Sequence, residues 1–292
     1  MTTQPKLLLI RGLGHSGTTL LDLALGAHSQ VQGFGEAMRL LRRPAPGEEQ
    51  GGPARLRREL RHERLCTCGR TAAQCPVWGP LLEWLPSHDH LPLVEKWQRL
   101  AARAADQAPA QPPLRWIVDS YQSDLELLAL PDAVIGMETR VLFLVRDVRS
   151  WVHAIVRRHH GQLALGWRSL ARWRRTNGQL ERRLQATGKP VFLLGYEELA
   201  LAPEAALGRL CHWLDLRFEA AMLTPGPSSG SHILSGNHMR FDPVKSASIR
   251  YDGAWLNSSF LPVRLALLLP GWQAMNRRLV YSNQLVNPGG LP

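Results

Sequence analysis

The sequence lacks an apolar stretch long enough to cross a membrane. An apolar segment near the C-terminus, residues 261–269, contains Pro262 and Arg264 and is followed by Pro270, whereas a spanning helix needs about 20 residues. A signal-peptide pattern is also missing, because residues 1–5 are followed by an apolar run of only four residues. We therefore expect a soluble protein, most simply cytoplasmic, with no membrane span.

Acidic residues are scarce. Asp and Glu number 24 against 35 Lys and Arg, a net charge of +11, and arginine supplies nearly all of the positive charge. Such a surface attracts nucleic acid, acidic lipid or a polyanionic nucleotide, and charge alone does not choose among them. The chain has 292 residues, 45% of them hydrophobic. This suffices for one large α/β domain or two small ones and argues against global disorder.

Cysteines are few, and three of them cluster in the motif CTCGRTAAQC. The sequence has four: Cys66, Cys68, Cys75 and Cys211. Cys211 falls in a predicted helix and is expected in the core. The clustered three are not a strong zinc pattern, although His62 or His88 would supply a fourth ligand. Structural thiols or a local disulfide are the alternatives, and a disulfide needs an oxidising compartment.

A glycine-rich loop follows the first apolar run. Residues 7–10 have the pattern of a buried strand, and residues 20–25 that of a helix. Between them, Gly12 to Gly17 match the phosphate-binding pattern G-x-x-x-x-G-K-[ST], with Thr18 in place of the lysine. The missing lysine argues against ordinary ATP or GTP hydrolysis. The loop is better suited to a ligand with a single 5′-phosphate group to hold.

The motif GHSGTTLL in this loop resembles the 5′-phosphosulfate loop of sulfotransferases that use 3′-phosphoadenosine 5′-phosphosulfate (PAPS). A turn that binds nothing is the alternative. In relatives a lysine or arginine usually stands where this chain has His15; a protonated His15 would stabilise charge on the bridging oxygen, and a neutral one would donate one hydrogen bond. The resemblance implies six donor-binding residues: Gly14, His15, Ser16, Gly17, Thr18 and Thr19.

A Gly-Glu pair follows the loop. Gly35-Glu36 resembles the G-E sequence of bacterial relatives and of the tyrosylprotein and some carbohydrate sulfotransferases. In those branches the glutamate takes the proton of the acceptor hydroxyl as it attacks sulfur. The resemblance implies that Glu36 is the catalytic base. A surface glutamate in a loop is the alternative.

A second family signature follows the apolar run at residues 141–145, which is typical of a buried parallel strand. The strand, its terminal R-D pair and the next helix resemble the 3′-phosphate site of sulfotransferases. There Arg146 would contact the phosphate in bidentate fashion. The serine of the family pattern falls on Ala154 here, so Ser150 or His153 is the substitute. An ion pair of Arg146 with an acidic residue is the alternative.

Three further segments are compared with the family. Tyr196 follows a strand at residues 190–194 and would lie near the adenine or the loop, or tie the strand end to the core. Gln122 stands where many relatives carry a lysine, and it adds no charge. In the family a basic loop near the C-terminus covers the 3′-phosphate. Its candidates here are Arg240, Lys245 and Arg250.

Alternating strands and helices predict an α/β fold, a parallel β-sheet flanked by helices of the P-loop NTPase-like sulfotransferase type. Further strands are expected at residues 31–34 and 114–120, with helices at 147–158, 165–186 and from 203 onward. We expect one domain over residues 1–292, with an inserted Cys- and Trp-containing helical segment at about 42–112.

The resemblance implies transfer of the sulfuryl group of PAPS to a hydroxyl or amine, with no metal required and no nucleic-acid partner. The acceptor would be a glycan, lipid, small metabolite or peptide, and the basic charge favours an anionic one. Two alternatives stay open: a degenerate, non-catalytic relative that binds nucleotide or glycan, and a P-loop kinase. The missing lysine at Thr18 counts against the kinase.

Overall fold

The computed structural model describes residues 4–43, 46, 64–122, 126–159 and 163–282. The predicted insertion at about 42–112 is therefore described only from residue 64 onward, apart from residues 42, 43 and 46. His62, one of the two histidines considered for a zinc site, lies outside the described residues.

The described strands form one five-stranded sheet in the order β2-β3-β1-β4-β5. The pairs β1–β3, β2–β3 and β4–β5 are parallel. Four of the strands are apolar runs buried on both faces for most of their length, as parallel strands covered by helices require. The strands are β1 Lys6–Arg11, β2 Val31–Gly33, β3 Trp116–Asp119, β4 Thr139–Val145 and β5 Val191–Gly195.

Helices connect the strands and make up the C-terminal part of the described chain. They are α1 Thr18–Leu25, α2 Ala37–Leu41, α3 Trp78–Trp84, α4 Leu93–Gln107, α5 Glu126–Ala129, α6 Asp132–Ile135, α7 Val148–Arg158, α8 Leu163–Ala186, α9 Tyr196–Leu201, α10 Pro203–Trp213, α11 Pro225–Ser228, α12 Pro243–Ser246, α13 Leu261–Leu265 and α14 Pro270–Val280. Short 3₁₀ helices are Leu85–His88, Ala220–Leu223, His238–Phe241, Ala254–Asn257 and Ala266–Leu268.

This architecture confirms the predicted α/β class with a parallel sheet. The predicted boundaries differ from the observed ones by one or two residues, as expected where a helix or strand frays. The predicted single domain with an insertion stays a prediction. Among the described helices, none combines the length and the apolar character needed to cross a membrane.

The described chain divides into two units, and the short segment 11–18 belongs to the second. The first is drawn from Met1–Ile10, Thr19–Arg140 and Glu219–Ser248; the second from Arg11–Thr18, Val141–Phe218 and Ile249–Pro292.

In the first unit, β3 lies between β1 and β2, with Trp116 paired to Lys6 on one side and Val31 on the other. Helix α4 packs against α2 and buries an apolar stripe that includes Leu93, Trp97 and Leu100. This stripe has the i, i+4, i+7 spacing that puts side chains on one face of a helix.

In the second unit, β4 and β5 pair over five residues from Val141–Val191 to Val145–Gly195. Helices α7 and α8 pack on each other, and α13 packs on both. Trp151 on α7 and Trp173 on α8 are fully buried.

Candidate active site

The glycine-rich loop is closely packed at both of its outer glycines. A Cβ atom on Gly12 would lie 2.3 Å from the carbonyl oxygen of Leu144. A Cβ on Gly17 would lie 2.5 Å from the ring of Tyr196, and Gly17 has a φ of +95°. A side chain at either position is therefore excluded without a backbone shift, which explains the spacing of the two glycines.

Two carbonyls of the loop accept hydrogen bonds, and three of its amides have no acceptor among the described residues. The carbonyl of Gly14 accepts from Nε1 of Trp151 at 2.8 Å, and the carbonyl of His15 accepts from Arg146 at 3.1 Å. Among the described residues, no group accepts a hydrogen bond from the amides of Gly14, His15 or Gly17. Unpaired amides in a loop at a helix N-terminus are the donors of an anion-binding site.

His15 adopts a left-handed backbone conformation, with φ at 70°. Partial burial lowers the pKa of its imidazole, and the positive charges of Arg158 and Arg146 lower it further. Its Nε2 lies 3.3 Å from a guanidinium nitrogen of Arg158. Of the two forms considered from the sequence, these surroundings favour the neutral one at pH 7.

Arg146 is buried directly after β4, and each of its three guanidinium nitrogens donates a hydrogen bond. Its Nε donates to the hydroxyl of Ser150 at 2.8 Å, and one terminal nitrogen donates to a carboxylate oxygen of Asp252 at 2.6 Å. The other terminal nitrogen holds the carbonyl of His15, and the guanidinium lies 5.2 Å from the centre of the Tyr196 ring. Arg146 is thus a fixed cation beside the loop amides, and its acidic partner is Asp252 rather than Asp147.

Helix α7 begins directly after Arg146. Asp147 caps it, accepting from the amide of Arg149 at 2.8 Å, so the two residues of the R-D pair have separate roles. Ser150 lies one turn after Arg146 and accepts its hydrogen bond, and its role in place of the missing serine at Ala154 stays a prediction. His153 is half-buried, and its Nδ1 has no partner among the described residues.

Tyr196 is buried between the loop and the C-terminal region of the second unit. Its ring packs against Gly17, and its hydroxyl donates to the carbonyl of Arg250 at 3.1 Å. The side chain of Arg250 is exposed. Tyr196 therefore has the packing role considered from the sequence, while remaining in contact with the loop.

Glu36 in the first unit is oriented by two donors. The hydroxyl of Ser235 and the guanidinium of Arg39 both bond its Oε2, at 3.0 and 3.1 Å. Its Oε1 has no partner among the described residues, and 18% of the side chain is exposed. Glu36 therefore presents one fixed and one available oxygen.

The backbone around Glu36 is equally fixed. Its amide donates to the carbonyl of Ser235 at 2.9 Å, and Gly35 forms a parallel bridge with Ser235. Gly35 has a φ of +62°, and a Cβ there would lie 2.4 Å from the carbonyl oxygen of Ser235. The Gly-Glu pair therefore requires glycine for both conformation and space.

Sequence reasoning missed Asp22 on α1. It is fully buried, and its carboxylate accepts from the amide of Gly35 at 3.0 Å. Burial raises its pKa to about 8, and the charge of Asp119 adds to this, while a hydrogen bond with Ser120 opposes it. A single acid within an apolar helix was the signal available in the sequence.

Two of the basic candidates in the C-terminal region are committed elsewhere. Arg240 is buried and donates to the carbonyls of Gly236, Asn237 and Leu234. Lys245 forms an exposed ion pair with Asp242. Arg240 therefore holds residues 234–237 of the first unit together, and its candidacy for binding phosphate stays a prediction.

The cysteine cluster contains a histidine that the sequence did not suggest. All four cysteines are free, so the structure does not contain the local disulfide considered above. His88 is not near the cysteines and instead stacks on Trp84 at 4.3 Å. The imidazole beside the cysteines is that of His232, whose Nδ1 lies 3.2 Å from the sulfur of Cys75.

The family follows from comparison with known proteins. The model of the Sulfotransferase family matches residues 7–220, which include the loop, Glu36, Arg146 and Tyr196. The chain belongs to the sulfotransferase family. A comparison with curated proteins gives no match.

Two solved structures have a similar fold. The sulfotransferase domain of the Synechococcus PCC 7002 olefin synthase is 18% identical, with a TM-score of 0.52 over 99% of this chain and 96% of that one. The sulfotransferase domain from the curacin biosynthetic pathway is 20% identical, with a TM-score of 0.53 over 94% of this chain and 97% of that one. At such identities the likeness establishes the fold, and it agrees with the family match.

Proposed function

We propose that this protein transfers the sulfuryl group of PAPS to a hydroxyl or amine of an acceptor. The observation that carries the proposal is the pairing, within one unit, of three loop amides that lack acceptors with the buried guanidinium of Arg146. Amides at a helix N-terminus suit the 5′-phosphosulfate. A fixed arginine beside them suits a second phosphate, the group that distinguishes PAPS from simpler nucleotides.

The residues divide the work of binding. The amides of Gly14, His15 and Gly17, with the hydroxyls of Ser16, Thr18 and Thr19, hold the 5′-phosphosulfate. Neutral His15 donates one hydrogen bond toward the bridging oxygen, where charge develops as the sulfur–oxygen bond breaks. Arg146 and Ser150 hold the 3′-phosphate. The ring of Tyr196 packs against Gly17 of the loop. Arg250 adds positive charge at the surface.

Glu36 acts as the general base. PAPS supplies the activated sulfuryl group. The acceptor oxygen attacks sulfur while its proton passes to Oε1 of Glu36, the oxygen left available when Ser235 and Arg39 bond Oε2. Fixing one carboxylate oxygen orients the other, which is the arrangement that efficient proton transfer requires. No metal takes part in this reaction.

Glu36→Gln tests the base directly. We expect the rate of sulfuryl transfer to fall about 100-fold or more, the range for loss of a general base, while 3′-phosphoadenosine 5′-phosphate (PAP) binds within about twofold of the unaltered protein. Labelled PAPS is incubated with a cell extract, the product is identified by mass, and PAP binding is measured by calorimetry. Glu83→Gln, at an exposed site of α3, is the matched control. Unchanged transfer by Glu36→Gln would refute the role of Glu36.

The kinase alternative is disfavoured by the contacts of Asp119, an acidic residue at the end of β3. Its Oδ1 accepts from the amide of Met38 and its Oδ2 from the amide of Tyr121, at 3.0 and 3.1 Å. Thermal shift separates the three hypotheses. Stabilisation by PAP without magnesium supports a sulfotransferase, selectivity for ATP with magnesium supports a kinase, and no response to either supports a degenerate relative.

A further inference from the structure

Three cysteines and one histidine of the first unit come together in a cluster outside the proposed active site. The sulfur atoms of Cys66, Cys68 and Cys75 and a ring nitrogen of His232 all lie within 4.8 Å of one another. Nδ1 of His232 is 3.2 Å from the sulfur of Cys75 and 3.9 Å from that of Cys66. Four potential ligand atoms therefore share one small volume.

The first two cysteines lie on a tight turn. Leu65 and Thr71 form an antiparallel bridge, and within it the amide of Cys66 donates to the carbonyl of Arg70 at 2.8 Å. Gly69 closes the turn with a φ of +81°. This turn holds the sulfur atoms of Cys66 and Cys68 within 4.8 Å of each other.

Cys75 precedes helix α3, and the amide of Trp78 donates to its sulfur at 3.5 Å. Donors around a sulfur are the outer contacts that metal-binding thiolates require.

His232 is distant in sequence but is held by the cysteine segment through its backbone. Its carbonyl accepts from Nε1 of Trp78 at 2.6 Å. The hydroxyl of Thr67 donates to the carbonyl of Ser231 at 2.5 Å and accepts from the amide of Ile233 at 2.9 Å. The imidazole is thus fixed beside the sulfurs by contacts on both sides of the residue.

We infer that Cys66, Cys68, Cys75 and His232 bind one zinc ion in a closed, structural site. Tetrahedral sulfur ligands about 2.3 Å from zinc lie roughly 3.8 Å apart, so the observed separations need only small adjustments. A set of four protein ligands leaves no position for substrate, which distinguishes a structural zinc from a catalytic one. The sulfuryl transfer itself still needs no metal.

The charge of the surroundings fits this assignment. Zinc with three thiolates and a neutral imidazole carries a net charge of about −1. The guanidinium of Arg240 is within electrostatic reach of Cys66 and of Arg64, and burial lowers its pKa to about 10. A buried cation beside the cluster compensates the negative charge that metal binding would leave there.

The site would connect to Glu36 through a short stretch of chain. Ser235, three residues after His232, bonds both the backbone and the carboxylate of Glu36. Asn237 donates from its amide to the hydroxyl of Thr19 at 3.3 Å. A metal that anchors His232 therefore also fixes the segment that orients the proposed base.

The test measures metal content of the full chain, purified with a tag that contains no histidine. We expect close to one zinc per chain by mass spectrometry of metals, with zinc lost in Cys66→Ser, Cys75→Ser and His232→Gln. Cys211→Ser and His88→Gln are the matched controls and should keep their zinc. Zinc retained by His232→Gln, or absent from the unaltered protein, overturns the inference.

A second measurement uses only the unaltered protein, because the variants are at risk of misfolding. A mercurial reagent that consumes the thiols should release one zinc per chain into a metal-binding dye, and chelation should lower Tm. Cobalt in place of zinc should give the intense visible absorption of a tetrahedral thiolate site. A chain that releases no metal, and whose intact mass is lower by two hydrogens because of a disulfide, would disprove the site.

Discussion

The contact between Arg146 and Asp252 makes a prediction about nucleotide affinity. The carboxylate of Asp252 lies 2.6 Å from the guanidinium, in the place where we propose that the 3′-phosphate binds. The phosphate must therefore displace this carboxylate or share the guanidinium with it. We predict that Asp252→Asn tightens the binding of PAP, because the amide competes less well for Arg146 and repels the phosphate less.

The exposure of Asp252 limits how much Asp252→Asn can increase the affinity for PAP. The side chain of Asp252 is 44% exposed, so its ion pair is screened by solvent and contributes about 0.5–1 kcal/mol. This corresponds to an affinity for PAP that is roughly two- to fivefold higher. Asparagine keeps the oxygen that accepts from the amide of Ala254 at 3.2 Å, so the local turn is preserved.

The assay is calorimetric titration at fixed, low salt with two nucleotides. PAP carries the 3′-phosphate, and adenosine 5′-phosphosulfate lacks it, so only PAP should bind more tightly. Asp242→Asn removes the same charge from the residue that caps α12 and is the matched control. Weaker binding of PAP by Asp252→Asn would refute the reasoning, since it would mean that Asp252 positions Arg146 rather than competing for it.

Two further predictions concern buried positions. Gly17→Ala should weaken PAP binding at least about tenfold, because a Cβ there meets the Tyr196 ring at 2.5 Å and a positive φ disfavours alanine. The control is Gly208→Ala, since a Cβ at that position meets nothing within 4 Å. Equal affinities of the two variants for PAP would contradict the role of the loop. Burial raises the pKa of Asp22 from 3.8 to about 8, so between these pH values the folded protein keeps a proton on Asp22 that the unfolded chain loses. The free energy of unfolding therefore falls as pH rises through this range, by up to about 1.4 kcal/mol per pH unit. Asp22→Asn should remove this dependence, so its Tm relative to the unaltered protein should rise from pH 5 to pH 8; parallel Tm curves would exclude a neutral Asp22.

The parts of the candidate site that can be predicted from the sequence are those whose local structure depends on residues close together in the chain. The glycine spacing, the buried strand before Arg146 and the Gly-Glu pair all lie within short segments, and their local structure follows from sterics and apolar runs. The sequence could also suggest Ser150 as a neighbour of Arg146, because Ser150 lies one helical turn after it.

The parts that were missed depend on contacts between distant residues. Asp252 is 106 positions from Arg146, and His232 is 157 positions from Cys75. No short sequence pattern marks Asp252 or His232 as a partner of these residues, because the position of each is fixed by long-range folding of the chain and not by its neighbours in sequence. The histidines that the sequence offers as a fourth ligand, His62 and His88, are those nearer to the cysteines along the chain, and no local pattern predicts His232.

The bond between Ser235 and Glu36 also affects the order in which the protein acquires its structure during synthesis. The two residues are 199 positions apart, and N-terminal segments emerge from the ribosome first at about 5–20 residues per second. The Gly-Glu pair is complete long before its partner exists, and for at least about ten seconds it has no Ser235 to bond. The proposed base therefore gains its orienting hydrogen bond only after the glycine-rich loop and the residues that pack against that loop have been synthesised.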